Sequence, residues 1–168
     1  MKQKRKVTRT SATAENCKTT GIFAEKLAAD ALRNAGYSNV ENLNDEIRHF
    51  PFADLLAEKD GIWYAVSVKG RHRLQRNGKV NTGYKLQRSD AELAIKKIGK
   101  KKGVECEPAF AAVEFDGDRY SVYFDLIDKS LRKNRIGMKD SERAAYQCLV
   151  CNQLHHLPIR PNEYSTQS

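Results

Sequence analysis

Apolar residues recur at three- and four-residue spacing early in the chain: Phe23, Ala24, Leu27, Ala28, Ala31 and Leu32 fall on one helical face. Thr19 and Thr20 can cap that helix and Gly36 can end it, so the pattern predicts a helix over about residues 20–35. A strand is expected near residues 38–43. From residue 52 the period changes to two. Residues 52–69 alternate on either side of Asp60-Gly61, a strong two-residue hairpin signal.

That turn fixes a register. Lys59 should face Ile62, Leu56 should face Ala65, and Asp54 should face Ser67. Side chains alternate along each strand. One face then carries Phe52, Asp54 and Leu56 with Trp63, Ala65, Ser67 and Lys69. The other carries Ala53, Leu55 and Ala57 with Tyr64, Val66 and Val68. Directly opposed residues lie about 5 Å apart at Cβ, and diagonal ones roughly 7–8 Å. Asp54, Ser67 and Lys69 are therefore expected to cluster at one end of an otherwise apolar hairpin.

Residues 70–88 read as a long connection rich in turn residues, and long connections in compact domains are usually functional or disordered. This one carries Arg71, Arg73, Arg76, Lys79, Lys85 and Arg88, with His72 and Tyr84 and no acid. Ser89 starts a second predicted helix, to about residue 102, with Ala91, Ala94, Ile95 and Ile98 facing inward. Its lysines, Lys96 to Lys102, cluster outward and toward the C-terminal end, where the helix dipole favours cations. Two strands are expected at about 109–115 and 119–126. The order α-β-β-β-α-β-β predicts an α/β fold with helices packed on a central sheet. Beyond Asp128 the pattern weakens. A short helix over 140–152 and a loose C-terminus are expected. The chain divides into a basic arm (1–15), an α/β domain (16–128) and a C-terminal extension (129–168).

Composition narrows the function classes. The 168 residues suit one domain with a proper core. A net charge of +9 points to a polyanionic partner, nucleic acid first and an anionic membrane surface second, with simple solubility as the alternative. The opening MKQKRKVTRT has positive charge but no apolar stretch after it, so no secretory leader is expected. No apolar run approaches membrane-spanning length. Cys17, Cys106, Cys148 and Cys151 are too few and too irregular for a disulfide framework, so a reducing, cytoplasmic setting is expected. Cys148 and Cys151 have zinc-ligand spacing, but His155 and His156 follow too closely to complete a tetrahedral site, and zinc is disfavoured.

An Asp and a Lys on one face of an apolar hairpin cost free energy unless they are paired or used. A structural ion pair is one explanation. The other is catalytic. Asp54 can be a hard oxygen ligand for Mg²⁺, an ion that lowers the pKa of bound water. Lys69 can orient that water or neutralise charge on a phosphorus centre. The cationic loop that follows could hold a phosphate backbone. Trp63 could stack a base but reads first as a core aromatic, and Tyr84 in the basic loop is the better stacking candidate.

Gly21-Ile22-Phe23-Ala24-Glu25-Lys26 on a first helix, then Asp54, then Ser67-Val68-Lys69, resembles the PD-(D/E)xK nuclease superfamily, which includes restriction endonucleases and archaeal-type Holliday junction resolvases. The resemblance covers about residues 20–126. It implies a restriction endonuclease-like αβββαβ core with a mixed central sheet flanked by helices. It also implies a homodimer that hydrolyses DNA with Mg²⁺ or Mn²⁺ and without a covalent enzyme intermediate. Asp54 matches the first motif acid, a metal ligand. Lys69 matches the motif lysine. Glu25 matches the first-helix glutamate that resolvase-like members add to the metal site.

Ser67 departs from the pattern, standing where the family usually has Asp or Glu. One branch of restriction enzymes has Ser here and draws a glutamate from the following helix, a part Glu92 could take. Alternatively Glu25 completes the site, or Ser67 and water suffice for a weaker site, or catalysis is lost on a retained fold. Each acid also has an ordinary explanation. Glu25 would sit in the first turn of its helix, where the dipole favours acids. Glu92 has capping-box spacing from Ser89. The sequence therefore supports a metal-dependent DNA endonuclease first and an inactive nucleic-acid-binding module on the same fold second. A basic structural protein is a third reading.

Overall fold

A computed structural model of the chain describes residues 11–127 and 134–153, with side chains from 20 to 127 and from 134 to 151. In chain order the elements are helix α1 (Ser11–Asn34), strands β1 (Ser38–Asn42), β2 (Leu55–Lys59), β3 (Ile62–His72) and β4 (Gly83–Lys85), and helix α2 (Ala91–Lys102). Strands β5 (Cys106–Asp116), β6 (Arg119–Leu126) and β7 (Arg135–Gly137), the short helix α3 (Asp140–Arg143) and strand β8 (Gln147–Gln153) follow. Single 3-10 turns lie at Leu43–Asp45 and Arg88–Asp90.

Six strands form one mixed sheet in the order β1-β2-β3-β5-β6-β8. Only β3 and β5 run parallel among its pairs. A parallel pair needs a long crossover, and the segment between them carries α2. β5 is buried along nearly its whole length, as a central strand covered on both faces should be. The αβββαβ core is the expected one.

Each sheet face has its own core. On one, α1 lays Phe23, Ala24, Ala28 and Leu32 against Val66, Val68, Ala111 and Val113. On the other, Ala94 and Ile98 of α2 cover Leu56 and Ala65. Farther along that second face, Tyr84, Ile136 and Met138 from the two-stranded β4–β7 layer cover Phe110 and Ala112. Small residues let α1 come close. At Gly70 a Cβ would overlap the Cβ of Ala24, so glycine is required where α1 crosses β3. That contact brings Glu25, the next residue on α1, toward the end of β3 that carries Lys69.

The hairpin register is the one its turn predicts, with Lys59 paired to Ile62 and Leu56 to Ala65. Asp60 and Gly61 both have positive φ, at 54° and 81°, as this tight turn demands. β2 starts at Leu55, however, not near residue 52. Phe52 has a φ of 60°, and Ala53 donates to the Pro51 carbonyl at 2.6 Å. The chain turns there, so the alternation breaks and Ala53 packs with Leu56 rather than with Leu55.

Three other expectations are revised. α1 begins at Ser11, within the stretch read as an arm, because helical continuation outcompetes the caps at Thr19 and Thr20. Ser89 does not cap α2. It lies in a 3-10 turn, and the N-cap is Asp90 with no side-chain hydrogen bond, so the Ser89–Glu92 capping box does not form. Finally, the helix expected over 140–152 stops at Arg143, and Gln147–Gln153 pairs with β6 as a sheet strand. Local helix formers favour 140–145, but Leu149 and Val150 gain burial against the α1-side core by pairing. Arg143 ties this extension down by donating to Glu114 on β5 at 2.7 Å, with Glu114 only 4% exposed. Cys148 and Cys151 are joined by a disulfide within β8. Among the described residues no helix is long and apolar enough to cross a membrane.

Candidate active site

Asp54 sits one residue before β2, opposite the end of β3 that bears Ser67, Val68 and Lys69. Its main chain is held on both sides. Its N–H donates to the Val66 carbonyl at 2.9 Å, and its carbonyl accepts from Leu43 at 2.9 Å. Its carboxylate is held as well. Oδ2 accepts the Val68 N–H at 2.7 Å, and Oδ1 accepts from the Asn44 amide at 3.2 Å.

Glu25 reaches the same place from α1. Its Oε2 accepts from Asn42 Nδ2 at 3.2 Å. Glu25 stands in the middle of α1, not in a first turn, so the helix dipole does not explain it. The two carboxylates are linked through a short amide relay. The Asn42 side-chain carbonyl caps the Asn44 N–H at 2.9 Å, and Asn44 in turn accepts the Phe50 N–H at 3.1 Å. Leu43 anchors this tripeptide in the core. Sequence reading passed over Asn42 and Asn44. The available signal was a pair of asparagines at a strand end, a residue type that bonds its own local backbone.

The electrostatics follow from this crowding. Burial, and then the charge of Asp54, raise the Glu25 carboxyl above the usual glutamate range, against the hydrogen bonds from Asn42 and Asn44 and the attraction of Lys69. Burial likewise raises Asp54, opposed by the Val68 N–H, Lys69 and Asn44. Glu25, Asp54 and Lys69 thus form one interacting group. Ser67, the residue before Val68 on β3, is a small hydroxyl only 1% exposed.

The chain is similar to a known resolvase structure. That structure is Hjc, a Holliday junction resolvase from the archaeal hyperthermophile Archaeoglobus fulgidus, with 16% identity over 77% of this chain and 96% of that chain and a TM-score of 0.48. No protein-family model matches the chain, and no curated protein does.

Glu92 stands apart from the group. It is exposed at the start of α2 and lines a cleft with Arg88, Ile95, Glu107, Pro108 and Leu126 that none of Glu25, Asp54 and Lys69 lines. Among the described residues no three Asp, Glu, His or Cys side chains gather as a metal cluster. Cys148 and Cys151 are bonded to each other, while His155 and His156 lie outside the described residues.

The basic segment divides. Arg71, His72, Arg76, Lys79 and Lys85 are exposed. Arg73 pairs with Asp116 at 3.2 Å, and Arg88 is half-buried in its 3-10 turn. Tyr84 corrects the sequence expectation. It is 1% exposed, packed against Phe110 and Met138, so no base can stack on it. Of the α2 lysines, Lys101 pairs with Glu46 and Lys102 pairs with Glu41 at 2.7 Å, which fixes α2 to the segment bearing Asn42 and Asn44. Lys96, Lys97 and Lys100 remain exposed.

Proposed function

We propose that the chain is a metal-dependent endonuclease that hydrolyses DNA phosphodiester bonds. One observation carries this reading: carboxylates from two separate elements, Glu25 on α1 and Asp54 before β2, share a half-buried site within the field of the Lys69 ammonium.

The donor set fits Mg²⁺ or Mn²⁺. Mg²⁺ takes one or two carboxylates from a protein and completes its octahedron with water and substrate phosphate. Glu25 and Asp54 would hold the ion, and their mutual repulsion is what a divalent cation relieves. When bound, such an ion supplies Lewis acidity and a water of lowered pKa. The protein's own residues do the rest. Asn42, Asn44 and the Val68 N–H keep the two carboxylates oriented. Lys69 meets the scissile phosphate and stabilises the charge that grows on its oxygens in the transition state. Arg71, Arg76, Lys79 and Lys85 take the flanking backbone, and a homodimer would offer two such sites to one duplex.

A second reading is favoured by Ser67: an inactive nucleic-acid-binding module on the same fold. Supercoiled plasmid nicking with Mg²⁺ or Mn²⁺, run beside a binding titration across salt, separates the two. Nicking supports the enzyme. Binding without nicking in either metal replaces it with the module, and the salt slope then counts phosphate contacts at about 0.9 each. Neither binding nor nicking removes both readings.

A further inference from the structure

Leu74 and Val80 face each other across a small hairpin just beyond β3, and both are turned to solvent, at 53% and 49% exposure. The hairpin is well made. Asn81 donates to the Arg73 carbonyl at 2.7 Å and Gln75 to the Lys79 carbonyl at 2.8 Å. These bonds flank Leu74 and Val80, making them a non-hydrogen-bonded pair, the kind whose side chains approach most closely. Gly78 turns the chain with a φ of 78°, helped by Asn77, whose side chain accepts the Lys79 N–H at 3.0 Å. At the base, Arg73 is fastened to β5 by its N–H on the Phe115 carbonyl at 2.8 Å and by its pair with Asp116.

The tip is therefore a rigid element that presents two aliphatic side chains where a solvent-facing hairpin ordinarily carries polar ones. The segment that bears it is cationic. Arg71, His72, Arg76 and Lys79 are exposed around it, and no acid occurs between Arg71 and Ser89. Leu74 lies five positions after Lys69, at most roughly 17 Å of extended chain.

An exposed apolar pair on a segment that carries exposed cations and no acid of its own, its one described ion pair being Arg73 with Asp116 at the base, fits one kind of partner, a nucleic acid whose phosphates engage the cations while the aliphatic side chains enter between bases. Proteins that open a base step use Leu, Ile or other apolar wedges in this way, and the cost of unstacking falls where the step is already weakly stacked. We propose that the Leu74–Val80 hairpin is a wedge that inserts at weakly stacked steps of duplex DNA and so directs the chain to mismatched or bulged sites. The inference rests on the nucleic-acid-binding part of the reading above and does not require cleavage.

The test uses the full chain without divalent ions, so that binding alone is read. The probes are a fully paired duplex and the same duplex with one mismatch, each carrying 2-aminopurine beside the variable position. The wild-type chain is expected to bind the mismatched duplex on the order of tenfold more tightly and to raise its 2-aminopurine fluorescence. Leu74→Thr/Val80→Thr, which puts a polar, strand-compatible β-branched residue at both positions, should lose that preference and that signal while keeping the salt slope on the paired duplex. The two single substitutions give the same readouts should the double variant not fold. Equal wild-type affinity for both duplexes overturns the wedge. So does an unchanged fluorescence response in the variants, or an equal loss on both duplexes, which would make the hairpin a backbone contact or a surface for a protein. Failure of plasmid nicking with these results intact would remove the nuclease and leave the wedge.

Discussion

Val68 donates its backbone N–H to Asp54 Oδ2 at 2.7 Å. The carboxylate does the work of a strand carbonyl at a point where β2 has not begun, and it is thereby held one residue from Lys69. The two residues belong to opposite arms of the hairpin, so their relation depends on the Asp60-Gly61 turn and on the bend at Phe52 that ends the pairing.

Lys69→Ala should abolish metal-dependent cleavage. Removing a charge-stabilising donor from such a site typically costs about 10²–10³ in rate. Lys69 is half-buried and its ammonium offsets the Glu25 and Asp54 charge, so the variant should melt lower at neutral pH while still folding. Nicking rates and thermal melts of both proteins check this, and retained cleavage would remove Lys69 from the mechanism.

Glu25→Gln should stabilise the chain at neutral pH while weakening divalent binding. The Glu25 carboxyl is raised above its ordinary 4.5. Its native state holds the proton more tightly than the unfolded state does, so the favourable contribution is complete below about pH 4.5 and is lost as pH rises through the raised value. At pH 7 the wild type bears the repulsion and the variant does not. The melting-temperature gain should be near zero at pH 4 and grow as pH rises to 7. Added Mg²⁺ should raise the wild-type melting point and have less effect on the variant. A gain that shrinks toward neutral pH would contradict the assignment.

Asn44→Ala should weaken divalent binding by about 10–100-fold, the usual effect of deleting a residue that orients a ligand. Its amide holds Asp54 Oδ1, and its carbonyl satisfies the Phe50 N–H. Titration calorimetry with Mn²⁺ reads the loss. An unchanged affinity would mean that Val68 alone positions Asp54.

Arg143→Ala should destabilise the fold by ~3–5 kcal/mol, because it leaves the Glu114 carboxylate buried without its partner. Arg143→Met/Glu114→Leu should recover most of that loss. Urea unfolding of the three proteins decides, and equal destabilisation by the single and double changes would show that the pair is not what anchors the C-terminal extension.

Much of the site was legible in the residues. The turn at positions 60 and 61 sets by local backbone geometry the register seen from Lys59–Ile62 to Leu55–Val66, and it brings Asp54 to the end of β3 that bears Ser67 and Lys69, although the bend at Phe52 ends the pairing before Asp54 can face Ser67. The charge of residues 71–88 is equally local. What tertiary structure decided depends on approaches that no periodicity encodes. Glu25 joins the site because Gly70 and Ala24 let α1 cross β3 closely. Asn42 and Asn44 join it because Leu43 finds a core pocket and turns its neighbours toward the carboxylates. Tyr84 leaves the surface because β7 covers it, and residues 147–153 become a strand because β6 offers an edge whose hydrogen bonds outweigh local helix preference. Short-range sterics determine which side chains share a face, whereas burial and pairing between distant segments determine which faces meet.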